Sequence, residues 1–165
     1  MNLKKQGAKL EIYVEQLFKD MCKFRVRRNV VYSINGRFTK RRRQAQIDVE
    51  FWDLLGKTIV ECKYYDGNVS ARDVREFNER KKKVFHNHAM MISNSDYTES
   101  AKELANKYGI KLVNGEQLRQ MDYERLTLIE MVIDNMGKRK GLEDQIKDID
   151  LRKYRGHYSV KQYIL

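Results

Sequence analysis

The spacing of apolar residues changes period several times along the chain. Leu10, Tyr13, Val14, Leu17, Phe18 and Met21 recur at helical intervals and predict a helix from about Lys4 to Lys23 with one apolar stripe. From Phe24 to Ile34, Val26, Val30, Val31, Tyr32 and Ile34 stand among Arg25, Arg27 and Arg28, and the segment runs into Asn35-Gly36, a hairpin turn signal. A period of two is clearest from Gln46 to Tyr65. There Ile47, Val49 and Phe51 alternate with Gln46, Asp48 and Glu50. After a turn at Asp53–Gly56, Val60, Cys62 and Tyr64 alternate with Ile59, Glu61, Lys63 and Tyr65. Ser70-Ala71-Arg72-Asp73 has the form of a capping box, opening a helix whose buried side is drawn from Val74, Phe77, Val84 and Phe85. Ala89–Ile92 reads as a buried strand, Thr98–Tyr108 as a helix stopped by Gly109, and Ile110–Val113 as another strand. Strand, helix, strand at this length implies a parallel pair, joined to the earlier antiparallel strands as one mixed sheet. From Asn114 to Gly137 the apolar residues do not form one clean stripe, so the segment is one helix or two.

Charge narrows the class of partner. Among 165 residues, 34 Lys and Arg face 23 Asp and Glu, a net +11, which favours a polyanion and points to nucleic acid before membrane. No apolar run approaches the roughly 18 residues that span a bilayer. The first residues carry charge but no continuous apolar core and no small-residue cleavage site, so secretion is not expected and a reducing cytoplasm is. Cys22 and Cys62 are too few for a disulfide framework or a zinc site, and the Asn68-Val69-Ser70 acceptor triplet is then chance. His86 and His88 have no neighbouring thiol or carboxylate and read as loop residues.

Candidate chemistry gathers in the central hairpin. With Asp53–Gly56 as its turn, Asp48 stands opposite Glu61 and Gln46 opposite Lys63, which puts two carboxylates about 5 Å apart at Cβ and calls for a cation between them. A register shifted by two would instead set Asp48 against Lys63 as an ordinary salt bridge. On the first helix Glu11 falls at the edge of the apolar stripe, while Glu15 lies further towards solvent; a solvated flank accounts for both as well. Arg37, Lys40, Arg41, Arg42 and Arg43 form a basic segment leading into Asp48. Together with Arg72, Arg75 and Lys81 on the later helix, they are candidate phosphate contacts. Tyr154, Tyr158 and Tyr163 lie among Arg152, Lys153, Arg155 and Lys161, a tail suited to nucleic acid, to the domain surface or to a second subunit.

Three segments taken in order resemble the Mrr-type restriction endonuclease family, within the PD-(D/E)XK nucleases. They are Gly7-x-x-Leu10-Glu11, then Ile47-Asp48 followed by Val60-Glu61-Cys62-Lys63, then Met91 through Leu118 with Ser93-Asn94-Ser95, Tyr97-Thr98, Gly109-Ile110 and Gly115. Ile47 stands where the motif has proline, and the third motif is the fully acidic ExK where many relatives carry glutamine. The resemblance implies an α/β fold, a restriction-endonuclease-like mixed sheet flanked by helices. It assigns residues 1–118 to the nuclease domain, with 119–165 as a helical extension and basic aromatic tail outside it. It also implies a DNA endonuclease using Mg²⁺, with Mn²⁺ able to substitute. Asp48, Glu61, the Cys62 carbonyl and Glu11 would be metal ligands, Lys63 the catalytic cation, Cys62's side chain structural and Gln46 an assistant. A homodimer is expected, because cutting two strands takes two sites. Two rivals remain: a structure-specific nuclease such as a Holliday junction resolvase, and a non-catalytic DNA-binding protein of the same fold.

Overall fold

A computed structural model describes residues 3–34 and 43–137. The chain order is α1 (Leu3–Asp20), β1 (Phe24–Ile34), β2 (Arg43–Asp53), β3 (Gly56–Lys63), α2 (Ala71–Lys81), β4 (His88–Ser93), α3 (Glu99–Tyr108), β5 (Ile110–Val113) and α4 (Gly115–Gly137). The last apolar segment is therefore a single helix, Gly115–Gly137. The expected Asn35-Gly36 turn, Arg37, Lys40, Arg41 and Arg42, and the aromatic tail lie outside the described residues.

The five strands lie in the order of the sequence. β1, β2 and β3 pair antiparallel, and β3, β4 and β5 pair parallel through the α2 and α3 crossovers. Each face of the sheet buries its own core. Leu10, Tyr13, Val14, Leu17 and Phe18 of α1 and Leu118 of α4 pack on Val49, Phe51, Val60, Cys62 and Tyr64, with the Phe18 and Phe51 rings 4.3 Å apart. On the other face Val74 and Phe77 of α2 and Ala101 and Ala105 of α3 pack on Ile47, Ile59, Met91 and Ile110. Each fully buried Leu, Ile, Val, Met or Phe side chain among them contributes on the order of 2 kcal/mol.

Local chemistry sets the ends of the elements. Asp73 accepts from the Ser70 N–H (3.1 Å) and hydroxyl (2.7 Å), so the predicted capping box forms. Gly109, at φ +63°, ends α3 in the left-handed conformation that a side chain disfavours. Gly56 has φ +112°, and a Cβ there would stand 2.4 Å from Asn87 Oδ1, the atom that accepts from Lys57 N at 2.9 Å. Phe85 does not join the α2 face: the helix has already ended, and the ring is 72% exposed while Val84 is buried.

The alternation along β2 departs from the expected pattern at Asp48. Ala45 and Ile47 belong to the α2–α3 core, whereas Val49 and Phe51 belong to the α1–α4 core. The β1–β2 ladder passes from Arg28↔Val49 to Val30↔Ile47, and between them Asn29 has φ +54°. A left-handed residue breaks the regular pleat of the strand that contains it. Gln46 consequently does not share a face with Asp48; it is exposed, with Nε2 3.3 Å from the Asn29 amide.

Glu50 is not on a solvated face either. It is fully buried, with Oε2 2.9 Å from Lys57 Nζ and Oε1 2.9 Å from Arg27 Nε, and it accepts from the Tyr32 hydroxyl. Burial works against its charge, but these three donors outweigh it and hold the carboxyl below its usual range. Replacing Lys57 with alanine would strand a buried charge, and urea denaturation should register a loss of about 3 kcal/mol. A loss well under 1 kcal/mol would mean that Arg27 and Tyr32 satisfy Glu50 unaided.

Candidate active site

The β2–β3 hairpin closes through Leu54-Leu55, with Asp53 paired to Gly56 and the ladder running back to Val49↔Val60. One step further along, Asp48 comes level with Glu61, as the unshifted register requires. Lys63 is not across from Asp48. It lies along its own strand from Glu61, with Nζ 3.0 Å from Oε1, because residues two apart on a strand share a side.

Asp48 Oδ2 accepts from the Cys62 N–H at 2.9 Å, and among the described residues no cation pairs with it directly. Its carboxyl is pushed up to about 7. Burial is the main cause and the Glu61 charge the second; the Cys62 N–H opposes them, Glu11 adds to the rise, and Arg80 opposes it. Glu61 is only 3% exposed, and its Oε2 is buried without a hydrogen-bond partner among the described residues. Burial works against the Lys63 ammonium, but the Glu61 charge and hydrogen bond outweigh it and raise the amine above its ordinary value, so Lys63 is a cation here. The Cys62 thiol is buried in the α1–α4 core, where desolvation pushes it well up and leaves it an inert packing group.

Glu11 is half-buried on α1. Desolvation raises its carboxyl; Arg28, 3.9 Å away, pulls the other way, and the charge of Glu61 adds to the rise. Glu15 also reaches the sheet, since its Oε2 accepts from Arg28 Nε at 3.0 Å. Glu11 thus shares the electrostatics of Asp48 and Glu61. Among the described residues, however, no three His, Cys, Asp or Glu side chains converge as a ready-made cage for a metal.

One residue of this cluster was not singled out in the sequence. Arg80 of α2 brings Nη2 into an ion pair with Glu61 Oε1, while its Nε and Nη2 both lack a hydrogen-bond partner. The available signal was its place three residues after Phe77, on the flank of the helix that faces the sheet. The other basic residues differ in their surroundings. Arg75 is exposed, Arg72 is exposed and joined to Glu76 at 2.9 Å, and Lys81 donates to the Tyr108 carbonyl at the end of α3. Arg43 opens β2.

Residues 3–121 match the family model Mrr_cat, a restriction endonuclease. No curated protein matches the chain. Among solved structures the chain is similar to a protein of unknown function, AF1548, with a TM-score of 0.57 and 20% identity over 65% of this chain and 57% of that one. It is also similar to protein VC1899 from Vibrio cholerae, with a TM-score of 0.54 and 18% identity over 70% of this chain and 30% of that one. A third similar structure is Can2 from Sulfobacillus thermosulfidooxidans in complex with cyclic tetra-adenylate, with a TM-score of 0.50 and 16% identity over 71% of this chain and 34% of that one. The chain thus spans 57% of the first of these proteins and about a third of the other two.

The raised carboxyl of Asp48 makes metal-free stability depend on pH. An acid whose folded pKa lies above its unfolded value, here about 7 against about 4, stabilises the fold below the lower value. That contribution disappears as pH rises through the higher value. In chelator, Asp48→Asn should therefore melt above the wild type at pH 8, by on the order of 2 kcal/mol, with the gap closing towards pH 4. Parallel melting curves across that range would contradict the assignment.

Proposed function

Because the chain belongs to the Mrr_cat restriction endonuclease family and has a restriction-endonuclease-like fold, we propose that it is a metal-dependent DNA endonuclease hydrolysing phosphodiester bonds at Asp48, Glu61 and Lys63. The observation that carries this reading is the buried Oε2 of Glu61, which has no partner and stands beside a carboxyl that burial and like charge hold near neutrality. Two buried carboxylates side by side lower stability unless positive charge reaches both, and Lys63 and Arg80 pair only with Glu61 Oε1.

The donor set suits a hard divalent ion. The Asp48 and Glu61 carboxylates and the Cys62 backbone carbonyl would hold it, with Glu11 acting through water, and a site with few protein ligands matches the preference of Mg²⁺ for keeping its own waters. Mn²⁺ would substitute. When bound, the ion supplies an activated water and offsets charge on the phosphate oxygens. Lys63, already an ammonium, neutralises charge that develops at the scissile phosphate and is not itself a base. Cys62 keeps the two polar residues that flank it on one side by packing into the opposite core. Arg43, Arg72 and Arg75, with the basic stretch Arg37, Lys40, Arg41 and Arg42, hold the DNA backbone and contribute affinity without reading sequence. Lys81 is the weakest of these candidates, since its amine already serves the α3 terminus. Cutting both strands calls for two copies of the site and hence a homodimer.

A labelled duplex, a single strand and a four-way junction, each incubated with Mg²⁺, with Mn²⁺ and with chelator, test the reading. Metal-dependent cleavage is expected, and the preferred substrate distinguishes restriction from junction resolution. Alanine at Asp48, Glu61 or Lys63 should lower cleavage by at least about a thousandfold while gel-shift affinity for DNA stays within a few fold. Binding without cutting under every metal condition would leave a DNA-binding module.

A further inference from the structure

The chain builds two buried carboxylate clusters on the same sheet, and they differ in one respect. Around Glu50, Tyr32 and Lys57 leave no buried polar atom without a partner among the described residues, and Arg27 reaches Glu50 Oε1 through both Nε and Nη2. Around Glu61 the cations are crowded and the bonds incomplete. Lys63 Nζ and Arg80 Nη2 share the one oxygen Oε1, Oε2 has nothing, and Arg80 keeps an unspent Nε donor. A buried unpaired donor is costly, and Arg80 carries buried Nε and Nη2 atoms without a hydrogen-bond partner among the described residues, whereas the Arg27 side chain on Glu50 is 61% open to solvent. Arg80 is also 29% exposed at its side chain, so it reaches the open side of the site from α2, the helix whose outer face carries Arg72 and Arg75.

Resting on the metal-dependent nuclease reading above, we propose that Arg80 is a built-in competitor for the divalent ion: it occupies Glu61 until a DNA phosphate draws its guanidinium away, so that the ion binds tightly only when DNA is present. A fixed cation on a ligating carboxylate repels an arriving divalent ion strongly at this range. A phosphate relieves that repulsion because it offers the planar guanidinium two parallel acceptors in place of one shared oxygen. By linkage, the coupling runs both ways, and the ion tightens DNA binding by the same factor as DNA tightens ion binding. In its second position Arg80 becomes a further cation on the phosphate, beside Lys63.

The test is Mn²⁺ binding to the full chain, read from the electron paramagnetic resonance signal of the free ion. Wild type, Arg80→Gln and Asp48→Asn are compared without DNA, and again with a phosphorothioate duplex that keeps the backbone charge and slows hydrolysis. Arg80→Gln should bind Mn²⁺ at least about tenfold more tightly than wild type without DNA, and the duplex should then add little, whereas wild type gains on adding the duplex. If Arg80→Gln binds the ion no better than wild type, while Asp48→Asn binds it far worse, the competitor role is wrong and the metal site stands. If Asp48→Asn binds as wild type does, the metal-site reading itself fails. Circular dichroism in chelator checks folding. Should Arg80→Gln not fold, Arg80→Lys carries the test, since it keeps the charge but not the fork: wild-type affinity without DNA and a reduced gain with the duplex are expected, and an undiminished gain overturns the proposal.

Discussion

The structure depends on two carboxylates, Asp48 and Glu61, being held level across a hairpin that cannot slip. A shift of one residue would turn Val60 and Cys62 out of the α1–α4 core and Ile59 out of the α2–α3 core, reversing every side chain of the strand at once. Burial on both faces, with each large apolar side chain contributing on the order of 2 kcal/mol, therefore fixes the register against the local repulsion. Gly56 adds to this, because its positive φ and its contact with Asn87 tie the turn to the segment entering β4.

Around this pair the remaining elements have assignable parts. α1 brings Glu11 to one side and covers the hairpin with Leu10, Val14 and Phe18. α2, started by the Ser70–Asp73 capping box, lies on the other face and delivers Arg80 to Glu61. The loop between β3 and α2 is pinned where Asn94 stands in for a peptide group, accepting from Tyr65 N at 2.9 Å and donating to Tyr65 O at 2.8 Å. The α2 origin is thereby set relative to the end of β3, which is the distance that decides whether Arg80 reaches its partner. Two clusters of buried charge then sit on one sheet in different states. Glu50, with three donors, is a finished piece of structure, whereas at the other site two cations share Glu61 Oε1, Oε2 has no hydrogen-bond partner among the described residues, and burial with the Glu61 charge raises the Asp48 carboxyl.

Much of this was legible in the sequence, for local reasons. The strand pair around Asp48 and Glu61 follows from a period of two and a short turn, and α3 follows from Thr98 at its start and Gly109 at its end. The face switch at Asp48 was not legible, because the alternation from Ala45 to Phe51 runs on in the sequence without a break, although Ala45 and Ile47 join one core and Val49 and Phe51 the other. The burial of Glu50 was hidden for a related reason: its partners Arg27, Tyr32 and Lys57 come from two other strands, and alternation alone placed it with solvent. Arg80 follows Phe77 by three residues and so lies on the buried flank of α2, whereas Arg75 lies about 140° away round the helix and is exposed.

The proposed metal site requires Asp48 and Glu61 to share one ion. Anomalous diffraction from crystals grown with Mn²⁺, collected near the manganese absorption edge, tests it most directly. The expected result is a single strong peak between the two carboxylates, within about 2.3 Å of an oxygen of each, and absent from crystals of Asp48→Asn. A peak elsewhere on the chain, or none at a concentration that saturates binding in solution, would contradict the account.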